Sequence, residues 1–345
     1  MLKENENYYQ IALKHLDNKN YEEALNVLKM ALNLEPANAR LMITLAYVHT
    51  LNDFKQLSKD EVLELEKKAV DSDKKSPYVW KYLGMINNLK GEYDKAINCY
   101  NKAIDFDSED ADLWLKLGEA YRNKDKLSKA FEIFKKATKV QSDLIEAWDN
   151  LGDIHVKKEE IDNALKCYRK INEIISNKEK STKNEDLIRF QIENHEKILS
   201  IDPYNVDSWE KIGKLYEDLE EYDKAIESLE KATELAPYDT DLWVEIGNTY
   251  YLRKKYKGAV KFYEKAIDIA PDKVKSKLDK IPIIESYKKL IETNQDDPKL
   301  WINLGYIYEY KNDKKEALKC YEEALRIDPN NALARYKWNE AHGLI

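Results

Sequence analysis

The sequence predicts an all-α protein built from repeated pairs of antiparallel helices, and two observations support this prediction. A Trp recurs at intervals of 34 residues, at Trp80, Trp114 and Trp148, and the same interval separates Trp209 from Trp243. The composition, with 35% charged residues and only nine glycines among 345 residues, suits helices better than sheets. A fixed period of roughly 20 to 50 residues is typical of arrays in which each repeat packs against its neighbours.

Small and aromatic residues occupy fixed places within each repeat. In the repeat that begins at Pro77, Trp80 is followed by Gly84 and Ala96. We expect the Gly, opposite the Ala twelve residues later, to let the two helices of a pair approach closely, and the Trp to fill space within and between repeats. The predicted structural positions are Trp80, Gly84, Ala96, Trp114, Gly118, Ala130, Trp148, Gly152, Ala164, Trp209, Gly213, Ala225, Trp243, Gly247, Ala259, Trp301, Gly305 and Ala317.

The pattern divides the chain into eight full repeats, two interruptions and a terminal helix. The full repeats are predicted at 5–38, 39–76, 77–110, 111–144, 145–178, 206–239, 240–273 and 298–331. The second of these carries an insertion between its helices, through residues 52–60. A helix within 332–345, which contains Tyr336 and Trp338, is expected to cap the array, with docking of a second chain as the alternative.

The two interruptions lengthen the interval between tryptophans from 34 to 61 residues after Trp148 and to 58 residues after Trp243. One inserted helix would reverse the direction of every later repeat. Each interruption is therefore interpreted as a truncated repeat, at 179–205 and 274–297, with a very short first helix at 178–183 or 272–280. Both short segments are rich in lysine, and we expect solvated turns there, with a basic docking surface as the alternative.

The repeat resembles the tetratricopeptide repeat (TPR) family over nearly the whole chain. The pattern W-x2-L-G-x2-Y, followed by Ala, an aromatic residue, Ala and Pro, is that family's signature. In 206–239 it is carried by Trp209, Ile212, Gly213 and Tyr216. The resemblance implies a right-handed α-solenoid, in which the first helices of successive repeats line a concave groove through positions 2, 5, 6, 9, 12 and 13.

This resemblance assigns candidate peptide-binding residues to the groove. The groove is expected to be aromatic near Tyr78, charged in the middle and aromatic again near Tyr251, although some tyrosines could instead only fill contacts between adjacent first helices. The candidates are Tyr47, Tyr78, Lys81, Tyr82, Met85, Lys116, Glu119, Arg122, Asn150, Asp153, Lys211, Lys214, Asn248, Tyr251, Asn303 and Tyr306.

No catalytic, cofactor-binding or metal-binding motif is found in the sequence, which has no HExxH, paired CxxC, GxxxxGK[ST] or GxSxG. His15, His49 and His155 occupy the place of a Tyr in other repeats, so we expect packing roles for them. Gly91 and Gly258 are interpreted as isolated turn residues. The three cysteines share one repeat position and are expected to be small apolar fillers in a reducing compartment.

These observations favour a non-catalytic scaffold that binds a peptide or helical segment of a partner protein. The alternative is a structural module that oligomerises through its terminal repeats. A net charge of −8 favours basic or mixed-charge partners and argues against nucleic acid, which requires clustered positive charge. Neither a membrane span of about 18 apolar residues nor an apolar signal region is found, so a cytoplasmic location without membrane contact is expected.

Overall fold

The computed structural model describes residues 2–52, 57–178 and 184–342. This part of the chain contains twenty α-helices and no β-strand. The helices form two compact bodies, Met1–Ile174 and Ile175–Ile345, which we call the N-terminal and C-terminal bodies. Each body is a stack of helix pairs, as an α-solenoid requires.

The N-terminal body contains nine complete helices and most of the tenth. Their bounds are α1 (Leu2–Asp17), α2 (Tyr21–Leu34), α3 (Ala39–Leu51), α4 (Lys59–Ser72), α5 (Pro77–Leu89), α6 (Tyr93–Phe106), α7 (Ala111–Asn123), α8 (Leu127–Val140), α9 (Ile145–Lys157) and α10 (Ile161–Lys178). Odd-numbered helices of this body are the first helices of their pairs, and α5, α7 and α9 each start 34 residues apart.

The C-terminal body contains the remaining helices. Their bounds are α11 (Glu185–Ile201), α12 (Val206–Asp218), α13 (Tyr222–Leu235), α14 (Thr240–Leu252), α15 (Tyr256–Ile269), α16 (Pro271–Lys275), α17 (Ile283–Thr293), α18 (Pro298–Tyr310), α19 (Lys314–Ile327) and α20 (Ala332–His342). Here the full first helices are α12, α14 and α18.

The turns inside the helix pairs share one strained backbone position. Seven residues in these turns have φ between 58° and 73°, the left-handed region that closes a helix and lets the chain reverse. Only Gly91 among them is a glycine, which agrees with its interpretation as a turn residue. The others are Lys19, Asp125, Glu159, Glu220, Lys254 and Asn312.

Paired helices approach closely at the glycine that recurs at the eighth position of the repeat, on the first helix. A Cβ atom at Gly118 would lie 2.5 Å from Cε1 of Phe134 on the second helix. The expected partner was the alanine twelve residues later, but the nearest side-chain atoms belong to the residue sixteen positions later. The same contact joins Gly84 to Tyr100, Gly152 to Tyr168, Gly213 to Leu229, Gly247 to Tyr263 and Gly305 to Tyr321.

Gly258 also makes a close contact and is not a turn residue, so that interpretation was wrong. It lies inside α15, and a Cβ atom there would meet the ring of Tyr250 on α14. The predicted alanines of the second helices, from Ala96 to Ala317, are fully buried beside these contacts. In the repeat 240–273, each helix therefore carries a glycine that leaves room for a tyrosine ring: Gly247 on α14 and Gly258 on α15.

The six in-register tryptophans are half-buried rather than central to the core. Each indole Nε1–H donates to the backbone carbonyl six residues earlier, at 2.8 Å from Trp80 to Lys74 and 2.8 Å from Trp114 to Ser108. The Lys102 ammonium also lies 4.1 Å from the Trp80 ring centroid. Each Trp thus stabilises the turn that connects successive repeats through this hydrogen bond, in addition to its packing contacts.

The second interruption contains a short helix, α16, of five residues, followed by turns and by α17. Val274, Leu278 and Ile281 of this stretch are buried in the core of the C-terminal body. In the first interruption, α10 ends at Lys178 and α11 begins at Glu185. The short first helix proposed at 178–183 and its lysine side chains lie outside the described residues.

Replacing Gly118 with Ala is expected to lower the free energy of unfolding by about 1–3 kcal/mol, because the added methyl group would overpack against the Phe134 ring. Urea denaturation followed by circular dichroism measures the change. The control is Glu132→Ala on the exposed face of α8, which should shift stability by no more than about 0.5 kcal/mol. Equal effects of the two substitutions would contradict the ring contact.

Candidate protein-binding face of the first helices

Four tyrosines cluster on the first helices of the N-terminal body. The rings of Tyr78 and Tyr82 stack with centroids 4.4 Å apart, and Tyr47 meets Tyr82 edge-on at 5.2 Å. Tyr9 meets Tyr78 edge-on at 6.2 Å, and their hydroxyls are hydrogen-bonded. Burial raises the pKa of Tyr47 to about 12 and also raises the pKa of Tyr78. These tyrosines therefore fill contacts between α1, α3 and α5, and the half-buried Tyr47 and Tyr82 also form part of the surface.

The charged candidates of this body are already bonded to other side chains, on a neighbouring helix or on their own. Lys81 on α5 lies 2.5 Å from the carboxylate of Asp112 on α7 and 3.3 Å from that of Asp110. Arg122 on α7 donates to Oδ1 of Asn150 on α9. The ammonium of Lys116 lies 3.0 Å from Glu119 within α7. These side chains are held in fixed directions before any partner arrives.

Met85 behaves differently from its charged neighbours. Its side chain packs against the buried cluster that contains Tyr100 and Leu117. It is half-buried, so it contributes apolar surface rather than a free anchor.

In two repeats, a buried tyrosine of the second helix donates a hydrogen bond to the side chain at position 9 of the first helix. The Tyr168 hydroxyl donates to Oδ1 of Asp153 at 2.8 Å, and the Tyr263 hydroxyl donates to Oδ1 of Asn248 at 2.8 Å. Burial first, and then the bond to the Asp153 carboxylate, raise the pKa of Tyr168. The ring that packs on the glycine thus also orients the candidate binding residue that follows this glycine.

A second polar network joins α12 to α14 in the C-terminal body. Lys214 lies 2.5 Å from Glu210 and 2.6 Å from Glu245. The Thr249 hydroxyl donates to Glu217. Desolvation is the main cause that raises the pKa values of Glu217 and Glu245. Lys211, the neighbouring candidate, is exposed.

The last candidates surround the carboxylate of Glu264 on α15. The Tyr287 hydroxyl and the Asn303 amide both donate to its Oε1, the latter at 3.4 Å. Nearby, the Lys337 ammonium lies 4.9 Å from the Tyr306 ring centroid. Tyr251 on α14 contacts the Tyr256 ring at 5.8 Å. The structure thus brings Asn303 and Tyr306 to one small site and leaves Tyr251 with Asn248 on α14.

Several residues of this face were not among the sequence-derived candidates. Glu217 and Thr249 form the α12–α14 bond, and Glu264 receives the amide of Asn303. Glu217 is at position 12 of its repeat, which is one of the positions expected to line the groove. The sequence pattern could therefore have identified it. Glu264 lies on a second helix, and the groove positions expected from the family pattern all lie on first helices, so the sequence did not indicate it.

The histidines make local packing contacts. His49 is buried and its Nε2 accepts the backbone N–H of Leu57 at 3.1 Å, whereas the His155 ring meets the Phe131 ring at 5.1 Å. His195 is buried beside the Ser208 hydroxyl, and burial lowers its pKa. Among the described residues, no group of three or more His, Cys, Asp or Glu side chains has a geometry that could hold a metal ion.

The three cysteines, Cys99, Cys167 and Cys320, are buried and form no disulfide. Burial raises the pKa of Cys99 and Cys167 to about 11 and that of Cys320 to about 12. Their thiols therefore stay protonated near neutral pH, and they pack as small apolar groups.

Helix α20 divides its aromatic residues between the core and the surface. Trp338 packs against the core of the C-terminal body, and its indole donates to Glu322 at 3.4 Å. Leu333 and Tyr336 are 47% and 53% exposed. Trp338 therefore covers its own chain, whereas Leu333 and Tyr336 face outward.

Comparisons with known families match the repeats directly. Family models described as tetratricopeptide or TPR repeats match residues 84–125, 111–144, 145–178, 206–239, 240–273 and 298–331. The chain belongs to the tetratricopeptide repeat family. TPR proteins are scaffolds for protein–protein interaction, and this chain is a member of that class.

The similar proteins are more distant. The uncharacterized protein ycf37 of Cyanophora paradoxa is 44% identical over 62 residues, which cover 18% of this chain and only 36% of that protein. The pilF structure of Pseudomonas aeruginosa is 20% identical, with a TM-score of 0.44, covering 68% of this chain and 92% of that one. A human IFIT1 dimer with PPP-AAAA is 21% identical, with a TM-score of 0.36, covering 90% of this chain and 69% of that one.

Within the described residues, no helix of this TPR protein combines the length and the apolar character needed to cross a membrane.

Replacing Tyr263 with Phe is expected to cost about 1 kcal/mol of stability, because the buried hydroxyl no longer bonds Asn248. The ring contact with Gly247 is kept. The matched control is Tyr100→Phe, since the residue fifteen positions before Tyr100 is Met85, which offers no comparable acceptor. Thermal or urea unfolding measures both changes, and an equal loss in the control would contradict the anchoring of position 9.

Proposed function

We propose that this TPR protein is a non-catalytic scaffold that binds an extended or helical segment of a partner protein on the first helices of its bodies. The observation that carries the proposal is the fixed amide of Asn248. Its Oδ1 is engaged by Tyr263, which leaves the Nδ2 donors to bond a backbone carbonyl of a bound segment. Such donors orient a peptide without depending on its sequence.

Tyrosines beside the fixed polar groups supply contact area. Tyr251 stands one turn after Asn248 on α14, and Tyr47 and Tyr82 take the corresponding part in the N-terminal body. Each is half-buried, so its ring is already restrained and its hydroxyl end can face a partner. Restrained aromatic side chains lose little conformational entropy on binding and are common anchors in interfaces.

The charge distribution supports a protein partner of basic or mixed charge rather than nucleic acid. The net charge is −8, and the cations Lys81, Lys116 and Lys214 of the candidate face are each bound to carboxylates. Phosphate-rich ligands require clustered cations on the protein, which displace the counterions that surround the phosphates.

The double substitution Asn248→Ala with Tyr251→Ala is expected to remove most of the partner captured by the wild-type protein, at least about tenfold, because two anchors are lost together. Quantitative mass spectrometry of affinity-purified complexes from the native host measures the capture. The control is Tyr238→Ala, a tyrosine that is 85% exposed outside the first helices. Capture that survives the double substitution, or that falls equally in the control, would count against this face.

Self-association through α20 is a second candidate function, supported by the outward-facing Leu333 and Tyr336. These side chains lie one turn apart, and Tyr336 lines a depression of about 550 Å³. If they form an interface, the mass in sedimentation equilibrium rises above that of one chain as concentration increases. The variant Leu333→Ser with Tyr336→Ser, which keeps Trp338 in the core, should then remain monomeric. A wild-type protein that is monomeric at every concentration would exclude this function.

A further inference from the structure

A small cavity lies at the second interruption. It measures about 260 Å³ and lies between α15, α17 and α18. The five-residue α16 stands where a regular repeat has a first helix of thirteen residues. The amide of Asn303 on α18 reaches the carboxylate of Glu264 on α15.

Glu264 is placed differently from the residues at the same position of other repeats. Glu230 and Glu322 are exposed at the equivalent site on their second helices, whereas Glu264 is half-buried. Its Oε1 accepts from both the Tyr287 hydroxyl and the Asn303 amide. These two bonds fix the carboxylate, and its second oxygen is left to meet a ligand.

The other walls of the cavity complete an acceptor-rich, narrow site. Asp268 adds a second carboxylate one turn after Glu264, and Ile267, Ile307 and the Tyr306 ring supply apolar walls. None of the seven lining residues is basic. Since Asn303 donates through Nδ2, its Oδ1 adds a neutral acceptor. The electron-rich face of Tyr306 already attracts a cation of this chain, the ammonium of Lys337 at 4.9 Å.

We propose that this cavity binds the side chain of an arginine from the partner segment. A guanidinium is planar and carries five donors, so it can meet the Glu264 carboxylate, Asp268 and the Asn303 carbonyl together, while its methylene groups lie against the isoleucines. A volume of about 260 Å³ suits one long side chain but not a folded segment. The inference rests on the proposed function, because Asn303 and Tyr306 belong to the candidate binding face.

The test uses the full chain and two small probes, N-acetyl-arginine amide and its uncharged analogue N-acetyl-citrulline amide. Amide NMR shifts of isotope-labelled protein are followed during titration. We expect the arginine probe to give saturable shifts confined to residues 264–268 and 303–307, and the citrulline probe to bind at least about tenfold more weakly, since it lacks the charge-assisted bonds. Equal binding of the two probes, or no saturable shift with arginine, would overturn the proposal.

Two substitutions locate the binding. Glu264→Gln keeps an acceptor for Tyr287 but removes the charge, and should weaken arginine binding at least about tenfold. Glu234→Gln is the matched control, because Glu234 lines a neighbouring cavity of about 600 Å³ that shares Glu264 and Asp268. Binding lost equally in both variants would assign the arginine to that neighbouring cavity and refute the proposal.

The outcomes separate this inference from the proposed function. Suppose that arginine binds at Glu264 but the variant with Asn248→Ala and Tyr251→Ala captures as much partner as the wild type. This result would support the arginine cavity and refute the proposed peptide-binding face of α14. Loss of capture in that variant without any arginine-specific shift would keep the scaffold and remove the arginine pocket. Circular dichroism of Glu264→Gln confirms that the variant remains folded.

Discussion

An aromatic ring lies directly on a glycine in five of the helix pairs, and a leucine does so in a sixth. This contact sets the distance between the two helices, because a glycine presents bare backbone to the ring and the alanines of the second helix leave room beside it. The stacking of successive pairs then follows, since each pair buries its apolar stripe only against its neighbours. In two repeats the hydroxyl of the same ring also bonds a candidate binding residue, Asp153 or Asn248. Helix packing and the orientation of that candidate residue thus depend on one side chain.

The candidate face is largely self-bonded before a partner arrives. Lys81 binds Asp112, Lys214 binds Glu245, and Arg122 binds Asn150. A partner gains little from charges that already have partners, because it must replace bonds that are present. The proposed binding therefore rests on groups with remaining hydrogen-bonding capacity, the Asn248 amide and the second oxygen of Glu264, and on the restrained tyrosines. Preorganisation of this kind lowers the entropic cost of binding.

The helical repeats could be predicted from the sequence because the period and the residue types depend on local spacing alone. The family assignment is confirmed, and the alanines are buried as expected. The sequence did not predict which atoms meet. Gly118 faces Phe134 rather than Ala130, Gly258 lies inside a helix, and the tryptophans are half-buried donors to connecting turns. Such partners depend on the rotation of one helix against another, which no single position of the repeat specifies.

By itself, the sequence determined the helix pairs and the family, because the same residue types recur every 34 residues. Only the tertiary structure decided which candidate residues act together. Tyr78 is committed to a tyrosine cluster, whereas Asn303 is joined to Glu264, a residue 39 positions earlier on a second helix. The physical reason is that the truncated repeat removes most of one helix. The elements on either side then meet at a distance and an angle that the regular spacing does not contain.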